Sequence, residues 1–323
     1  MAAPCVLDCD PGHDDAVAML LAAATDALDL RAITTVAGNG ELDKVTLNAQ
    51  RVCTLANIRD VPIAAGAAGP LAGTLETAAD VHGASALDGP ALPDPDVPVD
   101  PRAAHELIAD VVAASPEPVT LIGVGPLTNV AVALERDPGL AGRLREIIVM
   151  GGSTARGNRT PYAEFNIWAD PEAAERVFTS GVRLTMVGLN LTHQALATPP
   201  IVERLLALDT EIARVVAGWI TFFGSTYEEL WGFAGPPVHD VCAVALAIDP
   251  TLIRLVDAFV AIETAGRWTR GATVVDLHGR LRQAPNARVA LELDAPRFWD
   301  LVIGALERLG TEAGSVVTGR PDP

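Results

Sequence analysis

Lysine is nearly missing from this chain. Lys44 is the only one, and the 23 lysine and arginine residues face 41 acidic ones, for a formal net charge of -18 over 323 residues. A surface so short of positive charge argues against nucleic acid as a partner and gives little material for a phosphate clamp, so a neutral metabolite is the better-matched ligand. Cysteine is scarce too. Cys5, Cys9, Cys53 and Cys242 form no C-x-x-C pair and no framework spacing, which argues against a disulfide scaffold or a thiolate zinc site and for reduced thiols in the cytoplasm. No uninterrupted apolar run reaches the roughly 18 residues of a membrane span. The first apolar run lacks a basic leader and is broken by aspartates, so neither a signal peptide nor membrane insertion is expected. Aromatic residues are few, with two tyrosines, five tryptophans and seven phenylalanines, yet Trp219, Phe222, Phe223, Tyr227, Trp231 and Phe233 fall in one short segment.

What is there is apolar material, half of all residues, enough for one large α/β domain or two small ones. Short β-branched runs alternate with longer alanine- and leucine-rich runs of helical period, the pattern of a parallel sheet covered by helices. Strands are expected at 5–8, 30–36, 61–64, 119–122, 146–150 and 183–187, and helices at 15–25, 42–56, 101–114, 128–136, 171–180, 201–217 and 238–247. Further strands are expected within 251–293 and a closing helix at 296–309. Segment 89–101, with five prolines, reads as a long surface loop rather than a domain linker. Most strands run straight into turns rich in glycine or polar residues, which a parallel sheet gathers on one edge, where open α/β folds bind ligands.

The segment "VLDCDPGHDDAVAML" places Asp8, Asp10, Asp14 and Asp15 together, with no basic residue before Arg31. Two carboxylates about 4 Å apart repel by roughly 4 kcal/mol at an effective dielectric near 20, so protonation, dispersal into solvent or a bound cation must compensate. The cluster leaves an apolar strand, bends through Pro11 and Gly12, and enters an apolar helix, which holds it at the ligand edge. All-oxygen donors suit calcium or magnesium. An EF-hand is excluded because His13 stands where its glycine is needed and Met19 where its glutamate is needed. A haloacid-dehalogenase-type phosphatase fits poorly, with Gly12 in place of a threonine and only Lys44 to act as its lysine.

Far along the chain, "GPPVHDVCAVALA" sets His239 and Asp240 at the head of another apolar helix. Asp240 alone reads as a helix cap. Beside the first cluster it reads as a carboxylate recruited to a multi-oxygen cage, with His239 placed to move a proton. Asn158 and the segment "AEFNIWADPEAA" offer amide and carboxylate groups suited to gripping hydroxyls, and Asn39 and His82 lie in similar loops. Of the aromatic segment, Trp219, Phe222 and Phe223 are expected in the core, while Tyr227 and Trp231, four residues apart, are placed to present flat faces to a ring.

Taken in order, "LDCDPGHDDAVAML", "AITTVAGN", "VHG", "GPLTN", "MGGS", "AEFNIWADPEAA", "GLNLTHQALATPP" and "VHDVCAVA" resemble the inosine-uridine-preferring nucleoside hydrolases over nearly the whole chain. The resemblance implies a single domain over 1–323, a Rossmann-like, mostly parallel α/β fold, and N-ribohydrolysis of nucleosides at a bound calcium by homodimers or homotetramers. It implies that Asp10, Asp15, Asp240 and the Val124 carbonyl hold the metal, and that Asp14 and Asn39 reach the ribose 2′- and 3′-hydroxyls. Asn158, Glu164, Asn166 and the Met150 main chain would surround the 5′ side, with His82, Phe165, Tyr227, Trp231 and His239 facing the base. Asp10 would accept a proton from water, and His239, directly or through Tyr227, would protonate the departing base. Val124 stands where a threonine is common, a harmless change for a carbonyl ligand, and His13 where the family is variable or apolar. Retention of His239 argues against a purine-only preference. A calcium-dependent nucleoside-binding protein without turnover is the competing expectation, since it needs the metal ligands but not His239.

Overall fold

In a computed structural model, residues 2–317 are described, apart from the side chains at 226, 228–231 and 312–317. The sequence opens with β1 (Ala3–Cys9), buried from Pro4 onward. Continuous burial replaces the alternation of a surface strand because β1 lies inside the sheet with helices over both faces. Neighbouring residues still divide between the faces: Leu7, Ile122 and Ile148 belong to one apolar cluster, Val6, Leu121 and Ile147 to the other.

The remaining strands are β2 (Leu28–Thr35), β3 (Ile63–Ala65), β4 (Val99–Asp100), β5 (Val119–Gly123), β6 (Leu144–Met150), β7 (Leu184–Val187), β8 (Ile253–Ile262), β9 (Thr273–Asp276) and β10 (Ala287–Leu293). Together they form one sheet in the order β4-β3-β2-β1-β5-β6-β7-β10-β8-β9. It is parallel from β4 through β10, and β8 and β9 extend it antiparallel. This is the expected α/β fold with a mostly parallel sheet, and segment 89–101 ends in its edge strand β4.

The helices are α1 (His13–Ala23), α2 (Leu42–Leu55), α3 (Ala79–His82), α4 (Ala104–Ala114), α5 (Thr128–Arg136), α6 (Phe165–Ala169), α7 (Pro171–Phe178), α8 (Leu189–Thr192), α9 (Pro199–Leu206), α10 (Glu211–Trp231), α11 (His239–Ile248) and α12 (Ala295–Val317). The single helix expected at 201–217 is two, α9 and α10, separated by a turn in which Asp209 takes a φ of 51. A non-glycine residue in the left-handed region ends a helix, and leucines on either side concealed the break. The closing helix is longer than expected, reaching Val317.

Strand order positions the site. From β1 the chain builds outward through β2, β3 and β4, then returns to the opposite flank of β1 as β5. The loops after β1 and β5 therefore part in opposite directions and leave a crevice at the carboxyl ends of the strands. Asp10 follows β1 and Val124 follows β5.

Candidate active site

Asp15, in the first turn of α1, turns back on its own loop. One carboxylate oxygen accepts the Asp10 N–H at 3.0 Å, and the other accepts the Gly12 N–H and the Asn39 Nδ2 amide, both at 3.0 Å. These bonds pin the Asp10-Pro11-Gly12 bend against the start of the helix. Asn39 also gives its backbone N–H to Asp10 Oδ2 at 2.7 Å and its Nδ2 to the Asp10 carbonyl at 3.1 Å. Glycine is required around Asp10, because a Cβ at Gly38 would stand 2.2 Å from Oδ2 and one at Gly125 would stand 2.5 Å from Oδ1.

Asp14 points the other way, to α11, whose N-terminal residue Val238 supplies no side-chain cap. Its Oδ2 accepts the backbone N–H groups of His239 at 2.9 Å and Asp240 at 3.4 Å. Carboxylate oxygens of Asp14, Asp15 and Asp240 consequently lie within 4.8 Å of one another, all buried. Asp10 stands beside that trio rather than within it, in electrostatic contact with Asp15 and Asp240. Burial first, and the neighbouring aspartates second, hold the carboxyl groups of Asp10 and Asp240 well above the usual carboxylate range. Burial likewise raises Asp14, to about 7.

This donor set fits a divalent cation. Asp10 Oδ1 is buried with no hydrogen-bond partner among the described residues, an expensive condition for a carboxylate oxygen unless a cation claims it. Hard oxygen donors of high charge density are what calcium or magnesium takes. The Val124 carbonyl accepts Asn166 Nδ2 at 2.7 Å and keeps a second lone pair.

Beside the carboxylates lies an open cavity of about 230 Å³. Asp14, Asn39, Val124, His239 and Asp240 line it together with Met150, Asn158, Glu164, Phe165, Asn166, His82 and Tyr227. Glu164 caps α6, accepting the Asn166 and Ile167 N–H groups, and also takes the Gly152 N–H at 2.9 Å. Its burial raises the carboxyl to about 7. His239 has both ring nitrogens engaged: Nδ1 lies 2.7 Å from Thr192 Oγ1, and Nε2 lies 2.8 Å from the Tyr227 hydroxyl. Burial holds its pKa well below the usual histidine value.

Aspartates from both ends of a chain beside a hydroxyl-gripping wall and a buried tyrosine–histidine pair are what sugar-base cleavage at a metal requires. Residues 5–300 match the family model for inosine-uridine preferring nucleoside hydrolase. The chain belongs to this family. Pyrimidine-specific ribonucleoside hydrolase RihA of Salmonella newport (strain SL254) is 46% identical over 309 residues, covering 95% of this chain and 99% of the relative. RihA of Escherichia coli O81 (strain ED1a) is 45% identical over 308 residues, with 95% and 99% covered. Among solved structures, a purine-preferring ribonucleoside hydrolase from Gardnerella vaginalis has a TM-score of 0.90 at 29% identity, covering 96% of this chain and 99% of that one. A plant nucleoside hydrolase has a TM-score of 0.89 at 30% identity, covering 95% and 99%. The protein is thus an enzyme, a nucleoside N-ribohydrolase.

In this nucleoside hydrolase the structure brings nearly all the expected site residues to one cavity. Asp10 and Asp15 are buried and do not line it. The Trp231 side chain lies outside the described residues. Phe223, expected in the core, is buried but also lines the cavity. Arg159 was not anticipated. It lines the cavity, pairs with Glu76 at 3.1 Å and Asp80 at 3.7 Å, and stacks over Trp168 at 4.8 Å. A lone arginine in a loop carries no sequence signal, because its ion-pair partners lie some 80 positions away.

Proposed function

We propose that the protein hydrolyses the N-glycosidic bond of ribonucleosides with a calcium ion as cofactor, and that pyrimidine nucleosides are its preferred substrates. The observation that carries this reading is the pair of bonds that the His239 and Asp240 amides donate to Asp14, which brings metal-type carboxylates and the His239–Tyr227 pair to one cavity. The pyrimidine preference is supported by the names of the RihA relatives. Action as one domain in the cytoplasm, in nucleoside salvage, and as a homodimer or homotetramer belongs to the same reading. Among the described residues no helix is long and apolar enough to cross a membrane.

Asp10, Asp15, Asp240 and the Val124 carbonyl would hold the ion, which when bound supplies Lewis acidity and an anchor for vicinal hydroxyls. Asp10, locked by Asn39 and two glycines, is the base that takes the proton of the attacking water. Asp14 and Asn39 orient the ribose 2′- and 3′-hydroxyls, while Asn158, Glu164, Asn166 and the Met150 main chain take the 5′ side. Phe165 and His82 border the base. As the C1′ centre gains oxocarbenium character, the surrounding carboxylates stabilise it more than they stabilise the bound nucleoside. With the Thr192 hydroxyl donating to Nδ1, the His239 proton rests on Nε2 and faces Tyr227. The leaving base takes the Tyr227 hydroxyl proton, and the phenolate so formed is held by the His239 Nε2–H and regains its proton from solvent, acid catalysis typically worth about 10²- to 10⁴-fold. A binding protein without turnover has no use for that pair.

Purified protein incubated with uridine, cytidine, inosine and adenosine tests the reading. Release of free base and ribose, fastest from uridine and cytidine, is expected. Absence of ribose release from all four contradicts the proposed reaction, and faster release from the purine nucleosides contradicts the preference.

A further inference from the structure

Two segments meet beside the cavity, and they are built differently. The turn at 157–165 closes on itself: the Arg159 and Thr160 N–H groups donate to the Ala163 carbonyl at 3.1 and 3.3 Å, and the Phe165 N–H donates to Asn158 Oδ1 at 2.9 Å. The segment it meets leaves its last anchor at Leu71, whose N–H donates to Asp170 Oδ2 at 2.8 Å. Backbone bonds resume at Ala78, whose carbonyl accepts the Val81 and His82 N–H groups, both at 2.9 Å. Between those points, among the described residues, the hydrogen bond from Arg159 to Glu76 is the one that reaches 72–77.

Arg159 is the bridge. Its guanidinium lies 4.8 Å from the centre of the Trp168 ring, in α6, and reaches Glu76 at 3.1 Å and Asp80 at 3.7 Å. The stack on Trp168 seats the cation on the self-bonded side, so the two carboxylates are drawn to it and bring their segment with them. That segment has little else to hold it, since most of 72–77 is exposed. It leads directly into Asp80, Val81 and His82, which line the cavity as Asn158 of the turn does. The Glu76 and Asp80 side chains are 55% and 65% exposed, and ion pairs so exposed are weak and screened by salt. A weak tie yields whenever substrate enters or product leaves.

We propose that Arg159 is a positioning residue that ties segment 72–82 to the turn at 157–165, and so holds Asp80, Val81 and His82 in place around a bound nucleoside. It touches none of the reacting atoms. The aspartates at the heads of α1 and α11 and the Tyr227–His239 pair stand on other elements, so the tie governs how tightly the nucleoside is gripped and not the rate once it is bound. A neutral nucleoside is itself indifferent to salt. The tie is not, so ionic strength reaches substrate affinity through Arg159. The inference rests on the reading of the cavity as the nucleoside site.

Uridine kinetics of the full chain in saturating calcium test the proposal. Arg159→Met, which keeps the stem and removes the charge, is expected to raise KM roughly three- to tenfold with kcat nearly unchanged. Glu76→Gln combined with Asp80→Asn, which removes the partners and leaves the arginine, gives the same rise, and the triple variant gives no more. Arg159→Lys recovers part of the loss. Between about 0.05 and 1 M sodium chloride the wild-type KM rises, and that of Arg159→Met does not. In hydrogen exchange, Arg159→Met speeds the amides of 72–82 and leaves those of α11 as they were. A wild-type KM in Arg159→Met overturns the proposal. So does a raised KM in Arg159→Met beside an unchanged one in the Glu76 and Asp80 double variant, the mark of an arginine that contacts substrate directly, and so does unchanged exchange over 72–82. Should Arg159→Met not fold, the double variant and the wild-type salt series decide. Exchange needs no substrate, so failure of the proposed reaction is read separately.

Discussion

The Asp14 carboxylate accepts a 2.9 Å hydrogen bond from the His239 backbone N–H, 225 residues further along the chain. Because α11 has no side-chain cap of its own, this bond both terminates a helix and fixes the distance between the N-terminal aspartates and Asp240. In saturating calcium, Asp14→Ala is expected to lose about 1 kcal/mol of stability, the usual worth of a cap. It should also lose at least about 10² in kcat/KM through the missing ribose contact. Denaturant melts and steady-state kinetics measure the two, and a variant unchanged in both refutes the dual role.

The proposed mechanism draws the leaving-base proton from the Tyr227–His239 pair, 2.8 Å apart, so the value of each depends on the leaving group. His239→Ala and Tyr227→Phe should slow uridine or inosine cleavage by about 10²- to 10⁴-fold. Cleavage of a nitrophenyl riboside, whose leaving group departs as a stable anion, should fall far less. Equal losses on both substrates contradict proton donation by this pair.

Asp10 is held between Gly38 and Gly125. A methyl group at position 125 meets Oδ1 at 2.5 Å and must displace it. Gly125→Ala is therefore expected to cost roughly 10² in kcat, with KM less affected, since misplacement by about 1 Å suffices for such a loss. An alanine variant with wild-type kcat shows that the position of Asp10 is not critical.

Glu164 ties stability to pH. Its carboxyl rises from 4.5 to about 7 in the fold, chiefly through burial. A raised carboxyl favours the folded state below its unfolded pKa and loses that advantage as pH rises through the folded value. Relative to Glu164→Gln, the wild type should lose stability between pH 4.5 and about 7, by on the order of 3 kcal/mol. Parallel melts across that interval measure the difference, and a constant offset between the proteins contradicts the raised carboxyl.

Much of this was legible in the sequence. The five central strands and most helices announced themselves through β-branched runs, periodicity and turn residues, and the Asp10–Asp15 cluster stood out because nothing basic lay near it in sequence. The break between α9 and α10 did not show, because one left-handed residue leaves no compositional trace. Short α3 and α8, four residues each, are fixed by tertiary contacts: His82 by His13, Thr192 by His239. Resemblance to a family supplied residue roles, but not that Asp14 caps α11, that Arg159 joins two loops beside the cavity, or that the His13 and His82 Nδ1 atoms lie 3.0 Å apart. Those are long-range contacts, which spacing along one chain does not encode.

The central claim is that carboxylates from both ends of the chain hold a divalent ion on which nucleoside cleavage depends. Uridine hydrolysis by protein stripped of metal, verified by elemental analysis, and then resupplied with calcium tests it most directly. The account predicts loss of ribose release on stripping, recovery with calcium, and an Asp240→Asn protein that recovers only at much higher calcium. Full turnover by verified metal-free protein would contradict it.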